Sequence, residues 1–323
     1  MSQKDKIVLV FLDAIQGVNY HRLQIPFLRL MSQGMRVHFF TDFDDIKEFN
    51  MEVVSYIVVS RRCTVTNYKA FKEWLTANDV KLVLDNDDYW DLPKHNPAYE
   101  TYRDVISKEI IGTIKIADVI WTPSRYLGKR MSTINPRADV HIVHNTLDLD
   151  QEQWQQRKKP SKEVRFGYLG ALGHSRDVKE ICYSFAGKQL YASDLGGYPE
   201  ILGASHALSP LPVDQYGKLY EYFDVSLVPL QGGTFNKCKS DLKIVEAGYT
   251  RTSVICSNVT PYREVIENGV TGLLCSTPRD WKNAIESMTK EKHRELAGNL
   301  GKFVKKHYDL DAINKIRTDS LCL

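Results

Sequence analysis

The sequence predicts an α/β protein built from two Rossmann-like, doubly wound domains that face each other across a cleft. Three observations carry that expectation. Short continuous apolar runs, rich in Val, Ile, Phe and Tyr, recur along the chain and end in polar or turn residues. Runs without polar alternation suit strands covered on both faces. Amphipathic segments separate them, giving the β-α-β-α order of a parallel sheet sandwiched by helices. A polar, charged, proline-containing break at 148–163 (DLDQEQWQQRKKPSKE) then interrupts the pattern, which restarts after it.

In the first half the strand candidates are KIVLVFLD, MRVHFFTD, VSYIVVS, KLVLDND, DVIWTPS and VHIVHNT. The first helix candidate is YHRLQIPFLRLMSQG. Leu23, Phe27 and Leu30 fall at helical spacing, and Gly34 is the stop signal. In the second half the strand candidates are EVRFGYLG, KQLYASD, SHALSPLP, DVSLVPL, TSVICS and TGLLCST. A long charged helix candidate follows, expected to break near Gly298 and Gly301. The boundaries expected from this are 1–155 for a first domain, 160–300 for a second, and 301–323 for a C-terminal helix returning to the first.

Composition restricts the function classes. The 323 residues are 43% hydrophobic and 26% charged, with a formal net charge of +3. That is the profile of an ordinary globular protein, with no general bias toward nucleic acid or membrane. No stretch approaches ~20 apolar residues, so no membrane-spanning helix is expected. The six cysteines form no C-x-x-C pair, which argues against a zinc knuckle or a thioredoxin-type site. The opening apolar run is too short for a signal h-region plus cleavage site, and a reducing cytoplasm is the expected setting.

Ligands of doubly wound sheets bind at the carboxyl ends of the strands, and the candidate site residues all fall there. Gly17, after the first strand, lets a ligand or backbone approach closely, and Tyr20, His21 and Arg22 follow it. The chain has no G-x-G-x-x-G, so a nicotinamide or flavin fingerprint is missing. Asp85, Asp87 and Asp88 close the fourth strand. Clustered carboxylates raise one another's pKa and can supply a base or a metal site. Trp90 and His95 sit in the proline-rich loop that follows, a wall for an acceptor. His144, Asn145 and Asp148 end the sixth strand and are read as turn-forming. Gly170 and Gly173 bracket a strand-to-helix loop that can form an anion nest, with His174 and Arg176 beside it.

The segment from Phe235 to Leu274 is the most telling. Lys237, Lys239 and Lys243 crowd a helix start that already carries partial positive charge. Such a conflict is tolerated where an anion arrives to resolve it. Lys239, Ser240 and Lys243 are the phosphate candidates, with Lys239 and Lys243 expected to share a helix face. Glu246, one turn deeper, suits a pair of sugar hydroxyls. Together they suggest a nucleotide-sugar.

The Gly17 loop, IVHNTLD, GYLGALG and VEAGYTRTSVICSNVTPYREVIENGVTGLL resemble the retaining, nucleotide-sugar-dependent glycosyltransferases of the GT-B fold, family 4 in particular. DNDDYWDLP and FNKCKSDLK are similar to a compact subgroup of bacterial and bacteriophage genomes. The resemblance implies that Glu246 matches the second glutamate of the family's E-x7-E motif and holds the ribose. Lys239, Lys243 and the Gly170–Gly173 loop would hold the diphosphate. Cys238 stands where the family has the first glutamate, and cysteine cannot replace that residue's sugar contacts. Arg176 and Lys179 are the nearest counterparts of the family's arginine–lysine pair.

The function expected is sugar transfer from a nucleoside diphosphate sugar, a UDP-sugar by preference, to a hydroxyl acceptor. Lys243 would stabilise the leaving diphosphate, and Asp87 or Asp88 would orient or deprotonate the acceptor. Retention is implied by the resemblance alone, and no metal or further cofactor is expected. The acceptor is a saccharide, with a hydroxymethylated DNA base as the minority option. Two rivals stand beside it. One is a metal-dependent GT-A enzyme using Asp85 and Asp87, which predicts a single sheet. The other is a non-catalytic carbohydrate-binding protein on a decayed transferase fold, suggested by Cys238.

Overall fold

The computed structural model describes residues 7–13, 17–155, 157–182, 185 and 187–322. All twelve expected strands form. The first six are β1 Ile7–Phe11, β2 Val37–Phe40, β3 Val54–Ser60, β4 Lys81–Asp85, β5 Val119–Thr122 and β6 Asp139–Ile142. They build one sheet in the order β2-β1-β3-β4-β5-β6. The second six are β7 Arg165–Tyr168, β8 Gln189–Ser193, β9 His206–Leu208, β10 Val225–Val228, β11 Ser253–Ser257 and β12 Leu273–Cys275. Their order is β12-β11-β10-β7-β8-β9. Every ladder is parallel. Two separate six-stranded sheets overturn the single-sheet expectation of the GT-A reading.

Both faces of the first sheet are buried, as the unalternating apolar runs require. Leu9, Ile57, Leu82, Leu84 and Ile120 fill one side. Val8, Val10, Val58, Val83 and Trp121 fill the other, against Leu23 and Phe27. The order of strands then fixes where a ligand can go. The sheet reverses direction between β1 and β3 in the first lobe and between β7 and β10 in the second. Ligands of such sheets enter the crevice at those switch points.

Residues 17–32 are helical, with a π turn at Tyr20–Gln24 and an α-helix at Ile25–Ser32. The π turn carries Arg22 inward, where it is 1% exposed. Its Nε and Nη2 donate to the two oxygens of Asp85 at 2.5 and 2.9 Å. Its Nη1 donates to the Val143 carbonyl at 3.0 Å and to Asn145 Oδ1 at 2.8 Å. Expected as an acceptor contact, Arg22 is instead an internal strut. Tyr20 is likewise withdrawn; its hydroxyl donates to Gln151 Oε1 in the connecting segment at 3.2 Å.

The helix Lys290–His307 runs unbroken through Gly298 and Gly301, contrary to expectation. Glycine here serves close packing. A Cβ on Gly301 would lie 3.2 Å from the Gly248 carbonyl, and one on Gly248 would lie 2.5 Å from Val304 Cγ2. The break falls ahead of the helix, where the Thr289 side chain accepts from the Lys292 N–H at 3.2 Å. The chain therefore stays with the second lobe to His307 and returns to the first only with the helix Leu310–Ser320, not from residue 301. Asn314 Nδ2 donates to the Pro26 carbonyl at 3.0 Å, and Arg317 Nη2 to the Arg22 carbonyl at 3.1 Å.

Two stability predictions follow from this packing. Arg22→Ala strands the Asp85 carboxylate in the interior and should cost about 3–5 kcal/mol in urea denaturation. His21, beside Arg22, is buried, and burial pulls its imidazole down to about 4. The unfolded value is ~6.5, so the unfolded chain binds the extra proton on acidification. Its share of stability is whole above pH ~6.5 and falls toward pH 4, by on the order of 3 kcal/mol. His21→Phe should flatten the acid limb of a Tm-against-pH curve.

Candidate active site

The two switch points converge on one crevice of about 550 Å³ between the lobes. Val18 and Arg61 line it from the β1 and β3 ends. Asp88, Tyr89, Leu92 and His95 line it from the loop after β4. The second lobe supplies Gly173, His174 and Asp177 after β7, and the loop from Gln231 to Lys239 after β10.

The acidic loop is held by Arg61, a residue the sequence reading passed over. Arg61 takes a left-handed backbone (φ 62°) as β3 ends, a conformation unfavourable for any side chain but glycine. Its N–H donates to the Asp85 carbonyl at 2.8 Å. Its guanidinium meets Asp87 Oδ1 at 3.3 Å, Tyr102 Oη at 3.2 Å and Asp88 Oδ2 at 3.9 Å. Burial raises the Asp87 carboxyl above the usual range, with Arg61 pulling against it. Asp88 reaches across the cleft, and both its oxygens meet Lys239 Nζ, at 2.9 and 3.0 Å.

Asp177 organises the opposite wall. It accepts from the Gln231 N–H at 2.7 Å and from Asn236 Nδ2 at 3.1 Å, and its other oxygen meets His174 Nδ1 at 2.7 Å. One buried carboxylate thus locks the β7 loop to the β10 loop. Gly173 (φ +97°) comes so near the first lobe that a Cβ would sit 3.0 Å from Asn96 Nδ2. Gly170 does not offer its amide to the cleft, because that N–H donates to Ser193 Oγ at 3.1 Å. Arg176 is exposed at the rim. Burial, and then the charge of Arg176, lower the His95 imidazole below its ordinary range. Gly17 lies at the seam, 4.0 Å from Val213 measured from where its Cβ would be.

The lysine cluster is arranged differently from expectation. Helix Thr234–Lys237 stops, and a new helix, Leu242–Tyr249, starts after Asp241. Lys239 and Ser240 lie in the turn between them, so Lys239 and Lys243 do not share a helical face. Lys239 points at the first lobe, whereas the Lys243 Nζ turns inward to the Leu169 carbonyl and the Tyr216 hydroxyl. No carboxylate lies within ion-pair distance of Lys243 among the described residues. Burial lowers its pKa and Glu246 partly restores it. Glu246 is 3% exposed, accepts from Tyr220 Oη at 2.7 Å, and is raised by burial. The second helix has no side-chain cap. Asp241, in the capping position, instead accepts from Tyr308 Oη at 2.5 Å, leaving the first amides of the helix open.

Two other expectations need correction. Trp90 is turned into the first-lobe core and does not line the crevice; its neighbours Tyr89 and Leu92 do. Cys238 is fully buried against that same first-lobe core although it belongs to the second lobe. It is an apolar plug across the seam. Tyr216, Tyr220 and Asp177 were missed because their roles rest on strand order, which a single sequence does not display. Among the described residues no cluster of three or more His, Cys, Asp or Glu is placed to hold a metal. Asp85 and Asp87, the pair of the GT-A reading, are each engaged by an arginine.

Residues 214–307 match the family described as Glycosyl transferases group 1. The chain carries a glycosyltransferase domain. Its fold is similar across nearly its whole length to solved structures of low sequence identity. Anabaena HepE in complex with UDP matches at TM-score 0.68 and 14% identity, covering 98% of this chain and 99% of that one. Sucrose-phosphate synthase from Thermosynechococcus elongatus matches at 0.67 and 12%, covering 97% and 98%. A glycosyltransferase from Rickettsia africae matches at 0.65 and 11%, covering 98% of each. The two facing sheets are those of the GT-B architecture. No curated protein matches the sequence at a significant level.

Lys239 and Cys238 hold the lobes together by two different means, one ionic and one apolar. Asp88→Asn keeps the shape of the loop and removes the ionic one. It should leave overall stability within about 1 kcal/mol. In small-angle scattering it should still increase the radius of gyration of the ligand-free protein, and an unchanged radius would show that Cys238 alone suffices.

Proposed function

We propose that the chain transfers a sugar from a nucleoside diphosphate sugar to a hydroxyl acceptor, with retention and without a metal. The observation that carries this reading is Lys243: a half-buried ammonium that donates to the Leu169 carbonyl and the Tyr216 hydroxyl, with no carboxylate in ion-pair distance among the described residues, beside the uncapped start of a helix. A cation drawn partly out of water without a counter-charge is costly until an anion reaches it. Open amides at a helix start favour the same anion. Lys239, Lys243 and those amides would hold the diphosphate. Glu246, braced by Tyr220, would take the ribose hydroxyls. Charge developing on the leaving diphosphate would then meet preorganised donors.

The Asp88–Lys239 pair supplies a link between donor and acceptor. A diphosphate arriving at Lys239 competes with Asp88 for it. Asp88, released, and Asp87, raised by burial, would then serve to orient or deprotonate an acceptor hydroxyl. Tyr89, Leu92 and His95 offer that acceptor an amphipathic wall of the kind a saccharide ring stacks on. A UDP-sugar is the favoured donor, supported by HepE, whose structures hold UDP and UDP-glucose. Retention rests on the resemblance to family 4.

Lys243→Ala should lower kcat/KM by about 10²–10³, the usual loss on removing one preorganised donor. Unchanged turnover and donor affinity would remove the phosphate role. A thermal-shift panel of UDP, GDP, ADP, CMP and dTDP sugars should raise Tm with UDP-sugars foremost. That shift should vanish in Lys243→Ala and Glu246→Gln.

A further inference from the structure

We propose that the pole of the second lobe opposite the cleft binds a small oligophosphate, held by Arg157, Arg251, Arg294, Lys302 and Lys305. Lys158 precedes β7 and Arg251 precedes β11, so this pole lies at the amino ends of the strands, away from both switch points. Two recesses of about 600 and 400 Å³ meet there and share Lys158, Tyr249, Arg251 and Lys305. Neither is lined by a carboxylate. Lysine plus arginine exceed aspartate plus glutamate by only 43 to 40 in the whole chain, so these five cations and Lys158, with no acid among them, mark a local excess.

The helix Lys290–His307 shapes the recess. Arg294, Gly298, Gly301 and Lys305 fall on one stripe of it. Cations stand at the ends, and Gly298 leaves the middle bare, since a Cβ there would meet nothing within 4 Å. Arg251 holds its place in a left-handed backbone (φ 53°). Neither these five cations nor Lys158 forms an ion pair among the described residues. The carboxylate felt by Lys158, Asp224, is already bonded to Arg165 and Lys290. Glu291 lies near Arg294 on the same helix but not in the recess. Trp154 lines the larger recess, and its indole N–H is buried with no acceptor among the described residues. Lys158 forms part of the floor and does not reach into the recess, because its ammonium donates to the Tyr220 and Phe223 carbonyls and to Thr252 Oγ1. The concave shape and the volume suit a small molecule more than a duplex, which would need cations along an open face.

Calorimetry with sodium tripolyphosphate at about 150 mM salt tests this. Wild type should show two binding events. R251Q/K305Q should weaken one at least tenfold and spare the other, while Lys243→Ala should do the reverse. Arg251→Gly, which suits the left-handed backbone, should weaken the same event as R251Q/K305Q with the fold intact by circular dichroism. Binding that both Arg251 variants leave unchanged overturns the proposal. So does a single-stranded oligonucleotide that binds wild type more tightly than tripolyphosphate and is lost in R251Q/K305Q, which assigns the recess to nucleic acid.

Discussion

One buried guanidinium determines the geometry of the first lobe's cleft edge. Arg22 commits four hydrogen bonds to Asp85 at the end of β4 and to Val143 and Asn145 beyond β6. The end of β4 is where the acidic loop begins, and the end of β6 is where the chain leaves for the second lobe. Both the loop that carries Asp87 and Asp88 and the origin of the hinge are thus referred to one side chain. The C-terminal helix docks on the same residue through its backbone, because Arg317 donates to the Arg22 carbonyl. A buried ion pair is weak evidence for stability, since desolvation offsets most of its Coulomb gain. Its value here is positional. An apolar pair of the same volume would leave the directions of those two segments unspecified.

The seam between the lobes combines two interactions of opposite character. Cys238 is buried in apolar surroundings, and its pKa is pushed up to about 12 by burial, so it docks as a neutral small hydrophobe. Lys239, the next residue, holds Asp88 with an ion pair whose side chains keep 19% and 26% exposure. The apolar contact is indifferent to an arriving anion, whereas the ionic contact is directly exchangeable with one. A glutamate at 238 would bring a third carboxylate toward Asp87 and Asp88 in an apolar pocket. That cost fits the small neutral side chain found there.

How much could be read from the chain alone divides along a physical line. The strands were legible because burial on both faces forces continuous β-branched and aromatic runs, as in VSYIVVS and TSVICS. The lysine-rich helix start expected in the second lobe was not there: Lys237 closes a short helix, where a cation suits the dipole, and only Lys243 stands in the first turn of the next. What escaped depends on which strand lies beside which. Arg61 ends β3 and reaches Asp87 after β4 only because the two strands pair in the sheet. Asp177 gains its role from the adjacency of β7 and β10, which are 56 residues apart from the end of one to the start of the other. Arg22, Tyr20 and Trp90 look like cleft residues in sequence because they follow strand ends. A π turn and a core-facing loop direct them inward, and neither has a reliable local signature.

The electrostatics around Lys243 and Glu246 favour a ligand of mixed character. Burial lowers Lys243 and raises Glu246, so each is pushed toward neutrality by the same desolvation, and each is held charged mainly by the other. They do not approach within ion-pair distance, so neither satisfies the other fully. A single negative charge placed at Lys243 would stabilise its ammonium but repel Glu246. A ligand that puts phosphate oxygens at Lys243 and hydroxyl donors at Glu246 serves both without that conflict. A nucleoside diphosphate carries those two functions a few ångströms apart, in the order the helix presents them. The spacing of one helical turn between Lys243 and Glu246 thus supports the nucleoside diphosphate sugar proposed as donor.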